Sequence, residues 1–287
     1  MNLAPVFLLG TQRSGTTLLT RILSNHSSVY VQNELPLTQL FDDEFSLDKF
    51  YRNMDNLFEK RFGKSVKTFI KERKLEVWGL KDPQLTEYLN ELESFIPESK
   101  FILIIRDARG VVNSYINNKW GLGTNAYTGA IRWNKEVNLQ LEFAKKYPNN
   151  VFTLLYEDLI LDMENELQRI CSFLEIPFDH KMLAYHEKKA DLESNKQNIN
   201  TSKAPSRQIT EKWKTELSKS EIDIVISTCG KTLQTLGYIE SYAQLKLSPL
   251  MRFYYQLHQK VVGEIQIQYQ LWKLKRKLKG KERKQNA

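Results

Sequence analysis

The sequence predicts a three-layer α/β fold, with helices on both faces of a central parallel sheet, and three observations carry that prediction. Short runs at residues 6–9, 77–80, 101–105 and 151–155 are apolar on both faces, as strands covered from both sides must be. Amphipathic stretches at 17–23, 85–95, 111–115 and 130–146 alternate with them, and a β-α-β rhythm of this kind gives parallel pairing. The 287 residues are 41% hydrophobic with 12 Gly and 8 Pro, which leaves room for a large core and excludes a disordered or collagen-like chain. Ligands of open parallel sheets bind beyond the carboxyl ends of the strands, so the residues that follow each run are the ones to read for function.

The first run leads into Gly10-Thr11-Gln12-Arg13-Ser14-Gly15-Thr16-Thr17 and then a helix. Two glycines five apart, followed by hydroxyl residues, suit a loop whose backbone N–H groups turn inward on an anion, with the positive end of a helix dipole behind them. Thr16 stands where triphosphate-binding loops of this spacing carry a lysine. Arg13 supplies the charge instead, which suggests a single phosphoryl-type group. Beyond the helix the chain returns through residues 29–31 to Glu34, which reads either as a carboxylate at the mouth of the site or as an acid at a helix entrance. His26, late on the first helix, reads as a packing or capping residue and as the second choice for a base.

Residues 40–75 form a helical insertion in which Phe41, Phe45, Phe50, Phe58, Phe62 and Phe69 recur at roughly helical spacing. The main expectation is that these rings pack on the core; a wall facing the substrate is the alternative. The second run ends in Lys81-Asp82-Pro83, with Asp82 expected to orient its loop. The third ends in Arg106-Asp107-Ala108-Arg109, with Ser114 eight residues after Arg106 and Asp107 and Arg109 expected to pair. Three strand ends therefore deliver Arg13, Lys81 and Arg106 to one rim, and clustered cations repel unless an anion joins them. Residues 117–129, with Gly121, Gly123, Gly129 and Trp120, read as a mobile loop in which Trp120 either packs on a bound ligand or does not. The fourth run leads into Tyr156-Glu157-Asp158-Leu159.

From residue 246 onward apolar residues at 250, 254, 257, 261, 265, 269 and 272 describe one amphipathic helix, set apart from a main domain of residues 1–245. It ends in a basic run. Eight Lys/Arg and one Glu lie between Lys273 and Lys284, so seven of the eight net positive charges of the chain sit there. The rest is nearly neutral and gives no reason to expect a nucleic-acid partner, whereas the tail suits an anionic membrane surface. Two cysteines, Cys171 and Cys229, lack metal or redox spacing and read as buried free thiols.

The phosphate-type loop together with Arg106-Asp107-x-Arg109-x4-Ser114 resembles the sulfotransferases that use 3′-phosphoadenosine 5′-phosphosulfate (PAPS). The resemblance extends from about residue 5 to 240, through Tyr156-Glu157-Asp158-Leu159 and Lys212-Trp213-Lys214. Lys81-Asp82-Pro83 and Glu34 are similar to the tyrosylprotein sulfotransferase branch. The resemblance implies that Arg13, Ser14, Gly15, Thr16 and Thr17 hold the 5′-phosphosulfate. It assigns Arg106 and Ser114 to the 3′-phosphate, Lys81 to the transferring group, Glu34 to the acceptor's proton, and Tyr156 and Lys203 to further donor contacts. Gln12 replaces a usual proline, and Arg207 has no assigned role.

The resulting expectation is a PAPS-dependent transferase acting on a hydroxyl of a carbohydrate, lipid, phenol or peptide tyrosine, without a metal, and releasing adenosine 3′,5′-bisphosphate. A kinase or hydrolase built on a phosphate loop and a catalytically silent membrane-surface adaptor are the rivals. No basic leader precedes the first run and the paired cysteines of secreted relatives are lacking, so a cytoplasmic protein, peripheral at the inner membrane face, is expected. Homodimerisation stays open.

Overall fold

The computed structural model describes residues 4–187 and 206–285. In chain order the elements are β1 (Val6–Leu9), α1 (Thr16–Leu23), β2 (Val29–Asn33), α2 (Leu37–Leu40), α3 (Leu47–Phe62), α4 (Val66–Glu72) and β3 (Val77–Lys81). Next come α5 (Leu89–Leu92), β4 (Phe101–Ile105), α6 (Ala108–Asn118), α7 (Ala126–Lys146), β5 (Val151–Leu155), α8 (Tyr156–Leu161) and α9 (Met163–Leu174). The chain ends with α10 (Arg207–Glu211), α11 (Trp213–Glu216), α12 (Lys219–Thr235) and α13 (Pro249–Gln285). Two compact units result, one of Met1–Arg106 with Glu136–Ile209 and one of Asp107–Lys135 with Thr210–Ala287.

The first unit holds an all-parallel sheet in the order β2-β3-β1-β4-β5. Alternate residues of the central strands serve opposite layers. On one face Phe7 stacks on Phe101 at 5.3 Å and meets Phe95 edge-on at 4.9 Å, and Phe50 from α3 packs against Phe95 at 4.8 Å. On the other, Leu8, Ile102 and Ile104 pack with Leu19 and Ile22 of α1 and Leu167 and Ile170 of α9. The 40–75 insertion folds as α2, α3 and α4; Phe41, Phe50, Phe58 and Phe69 are buried in this core, the packing role rather than a wall open to substrate. Ser46 and Ser65 cap α3 and α4 by accepting from Lys49 N and Thr68 N, and Gly63, in the left-handed region at φ 69°, ends α3.

In the second unit, α12 starts with a reciprocal capping box between Ser218 and Glu221 and carries the buried Cys229, whose thiol donates to Ala130 O at 3.3 Å. Burial pushes the Cys229 thiol well above its ordinary pKa and holds Cys171, in the first unit, up at about 11. Most of the 117–129 stretch, expected as a mobile loop, is helical or pinned. α6 runs to Asn118 and α7 starts at Ala126, and the residues between are tied by hydrogen bonds to α13. Gly123 permits the close approach to Gly129 that this turn needs: a Cβ there would lie 2.7 Å from Gly129 Cα.

Candidate active site

The loop after β1 is built for a close ligand. Gly10 (φ 155°) and Gly15 (φ 107°) take backbone conformations that L side chains rarely adopt. A Cβ on Gly15 would strike Tyr156 Cδ2 at 2.4 Å, and one on Gly10 would meet Ile104 O and Ser14 Oγ, both at 2.7 Å. Arg13 also lies in the left-handed region, at φ 71°. Ser14, fully buried, is spent on the loop itself: its hydroxyl donates to Thr11 O at 2.8 Å and its N–H to the same oxygen at 3.1 Å. α1 then begins without a capping side chain, and its first backbone bond runs from Leu19 N to Gly15 O. The N–H groups from Gly15 to Leu18 have no preceding helical turn to bond, which makes this helix end suited to an anion.

Lys81 closes β3 and is 1% exposed. Its ammonium donates to Thr17 Oγ1 at 3.2 Å, Asn33 Oδ1 at 3.0 Å and Glu34 Oε1 at 3.1 Å. A buried ammonium needs such partners, because desolvation of the charge is otherwise uncompensated. The register explains the meeting: parallel pairing sets Asn33 beside Lys81, and Glu34 N then donates to Lys81 O at 2.9 Å. Glu34 adopts φ 39°, a strained value for a non-glycine residue, and its side chain stays 61% exposed. One end of the carboxylate thus meets a fixed cation while the rest is open to an incoming proton donor.

Beside Lys81, Asp82 accepts from Gln84 N at 2.8 Å. Burial raises its pKa, a shift that bond opposes, and the neighbouring Glu34 charge adds to the rise while Lys81 lowers it.

Across β1 from β3, Arg106 follows β4. It donates to Arg13 O and to Ile209 O, each at 3.3 Å, and its guanidinium lies 4.7 Å from the centre of the Tyr156 ring. Burial raises the Tyr156 pKa, and the charges of Arg106 and Arg13 oppose that rise. Strand order reverses between β1 and β4, the place where parallel sheets of this kind open a crevice.

The structure therefore gathers Arg13, Ser14, Gly15, Thr16, Thr17, Glu34, Lys81, Arg106 and Tyr156 at the carboxyl edge of the first unit's sheet. Ser114 lies on α6 in the second unit, and Lys203 lies outside the described residues. His26 is removed as a base: Nε2 is 2.8 Å from Pro177 O, Nδ1 takes the Ser28 N–H at 3.1 Å, and the ring is 5% exposed at the far end of α1. With one nitrogen donating and the other accepting, the ring keeps nothing for a substrate. Asp107 and Arg109 bond each other at 2.5 and 2.9 Å, and Arg109 covers the Trp213 ring at 4.1 Å. Asn33 is the site residue that sequence reasoning missed; its only signal was its place immediately before Glu34.

Residues 5–180 match the model of a family described as the Sulfotransferase family. Among curated proteins the chain is 27% identical to Protein-tyrosine sulfotransferase A of Caenorhabditis elegans, over 63% of this chain and 52% of that one. It spans about half the length of several such relatives. Among solved structures it is similar to the sulfotransferase domain from the curacin biosynthetic pathway (TM-score 0.62, 20% identity, 85% of this chain and 100% of that one). It is also similar to a mouse sulfotransferase complexed with PAP (TM-score 0.50, 15% identity, 82% of this chain and 88% of that one). At these identities the solved structures establish the fold.

Proposed function

The chain belongs to the sulfotransferase family, and we propose that it moves the sulfuryl group of PAPS to a hydroxyl group and releases adenosine 3′,5′-bisphosphate. The single observation that carries this reading is Lys81, a buried ammonium that reaches both the phosphate-type loop, through Thr17, and the exposed carboxylate of Glu34. The residues present fit the donor. Two glycine positions leave no room for a Cβ, the start of α1 is uncapped, and three cations, Arg13, Lys81 and Arg106, surround them.

When bound, the donor supplies an activated sulfuryl group on a phosphate leaving group. The backbone N–H groups of the loop and the start of α1 hold the 5′ end, and Arg106 holds the 3′-phosphate. Lys81 offsets charge that grows on the departing oxygen; because its ammonium is already fixed by three oxygens, little reorganisation is needed as the charge forms. Glu34 takes the acceptor's proton at its carboxylate. A phenolic hydroxyl of the tyrosine class is the acceptor we favour, because the chain is similar to Protein-tyrosine sulfotransferase A of Caenorhabditis elegans. The buried free thiols Cys171 and Cys229 suit a reducing compartment. The test is transfer of radiolabelled sulfate from PAPS to tyrosine peptides, simple phenols and glycans. Label in any product, lost in Lys81→Met, supports the reading; no transfer to any of the three classes, with no binding of adenosine 3′,5′-bisphosphate, overturns it.

A further inference from the structure

Helix α13 is amphipathic with its faces inverted. The side turned toward its own unit carries a row of polar side chains beside the half-buried Tyr255, Val262 and Ile267. Gln259 donates to Gly121 O at 2.6 Å and accepts from Thr124 N at 2.8 Å; Gln266 accepts from Gly121 N at 3.1 Å; Gln270 donates to Lys119 O at 3.3 Å. His258 Nδ1 lies 2.9 Å from Thr124 Oγ1, and Gly263, buried between these side chains, lets the helix approach Gly121. At 100° per residue the opposite side presents Leu250, Tyr254, Leu257, Val261, Ile265 and Trp272. All are exposed, from 47% at Leu257 to 77% at Leu250. A continuous apolar stripe of this length on a soluble surface marks a contact with something else.

Charge identifies the occupant. Pro249–Gln285 contains ten Lys/Arg and two Glu, with eight of the ten crowded beyond Trp272. Two copies packed side by side in parallel would bring the basic runs together, and an anionic surface neutralises them instead. Aromatic side chains also sit where an interfacial helix places them: Tyr269 and Trp272 stack at 5.9 Å immediately before the basic run, and Phe253 and Tyr254 are exposed near the start. No helix among the described residues is long and apolar enough to cross a membrane, so the contact is a surface one.

We propose that α13 lies on anionic lipid, with its apolar stripe in the acyl boundary and its basic end among the headgroups. The inference stands independently of the catalytic reading. The test sediments the full-length protein with vesicles of phosphatidylcholine alone and of phosphatidylcholine with phosphatidylserine. The protein should partition onto the anionic vesicles, with emission from Trp272, isolated by comparison with Trp272→Phe, moving to shorter wavelength. Leu257→Ser, Val261→Ser and Ile265→Ser together leave the charge unchanged and lie on an exposed face, so folding is retained; they should lower partitioning roughly tenfold or more. Substituting glutamine for Lys275, Arg276 and Lys277 should weaken binding to anionic vesicles and flatten the dependence on their phosphatidylserine content. Wild-type partitioning by the serine variant would overturn the proposal. So would a dimer in analytical ultracentrifugation that the serine substitutions convert to monomer, since a second copy would then cover the stripe.

Discussion

Glu34→Gln separates a proton acceptor from a structural partner of Lys81, and the geometry sets both magnitudes. Glutamine keeps a carbonyl oxygen to accept from the Lys81 ammonium, now 3.1 Å from Glu34 Oε1, while Asn33 and Thr17 keep their own bonds at 3.0 and 3.2 Å. The backbone bond from residue 34 N to Lys81 O, 2.9 Å long, does not involve the side chain. What disappears is one negative charge. At 61% exposure most of its attraction to Lys81 is screened, so the stability cost is about 1 kcal/mol or less. The loss of a general base costs roughly 10²–10⁴ in rate, or about 3–5 kcal/mol of barrier. The variant should therefore lose kcat by that factor, with a Tm only a few degrees lower and affinity for adenosine 3′,5′-bisphosphate within about twofold. Turnover measured on a series of phenols should show a deficit that shrinks as the phenol becomes more acidic, because an acidic phenol needs less help to ionise. Near-normal kcat on the least acidic phenol would refute the assignment. A Tm collapse that tracks the activity loss would show instead that the pair is structural.

Arg106→Ala should weaken adenosine 3′,5′-bisphosphate by about 1.5–3 kcal/mol, roughly ten- to a hundredfold, and AMP much less; equal losses in calorimetry would remove Arg106 from the 3′-phosphate. Gly15→Ala should abolish measurable nucleotide binding and destabilise by about 1–3 kcal/mol, since its Cβ would lie 2.4 Å from Tyr156 at φ 107°. Gly63→Ala, at φ 69° with nothing within 4 Å, is the control: it should cost about 1 kcal/mol and leave binding intact. For Asp82, burial raises the folded-state pKa above the unfolded value. The folded state then holds its proton more tightly, and wild-type stability falls as pH rises from the ordinary aspartate pKa through the raised one. The Tm of Asp82→Asn relative to wild type should therefore increase with pH across that window, and a gain that grows on acidification would contradict it.

The strand ends were legible because buried parallel strands are apolar throughout, so the first charged residue after each run marks the sheet's carboxyl edge. That reasoning found Arg13, Lys81 and Arg106 without any knowledge of the packing. It was less suited to β2, whose sequence Val-Tyr-Val-Gln-Asn is not an apolar run. As an edge strand it has neighbours on one side only, and the buried Gln32 is satisfied by the Tyr30 hydroxyl at 2.7 Å and by donating to Asn33 O at 2.7 Å. Pairing register, which no local pattern encodes, is what sets Asn33 opposite Lys81 and brings Glu34 to the ammonium. The packing or capping role read for His26 holds, but what fixes its ring could not be read locally. Its position late on α1 was readable, but the carbonyl that fixes its ring belongs to Pro177, 151 residues away.

The helix at the end of the chain shows the limit from the other side. Periodicity located its apolar stripe at 250, 254, 257, 261, 265, 269 and 272, and by default such a stripe is assigned to the interior. The structure turns it outward because the partner of α13 is the backbone of a glycine-containing turn. Gly121 and Thr124 present unpaired N–H groups, and Gly121 and Lys119 present carbonyls; glutamine side chains, which carry both a donor and an acceptor, satisfy them where leucine cannot. Burying the apolar face there instead would leave those backbone groups without partners, at a cost of about 1–3 kcal/mol each. The hydrogen-bond demand of the turn thus decides which face of α13 goes in, and its apolar side is left exposed.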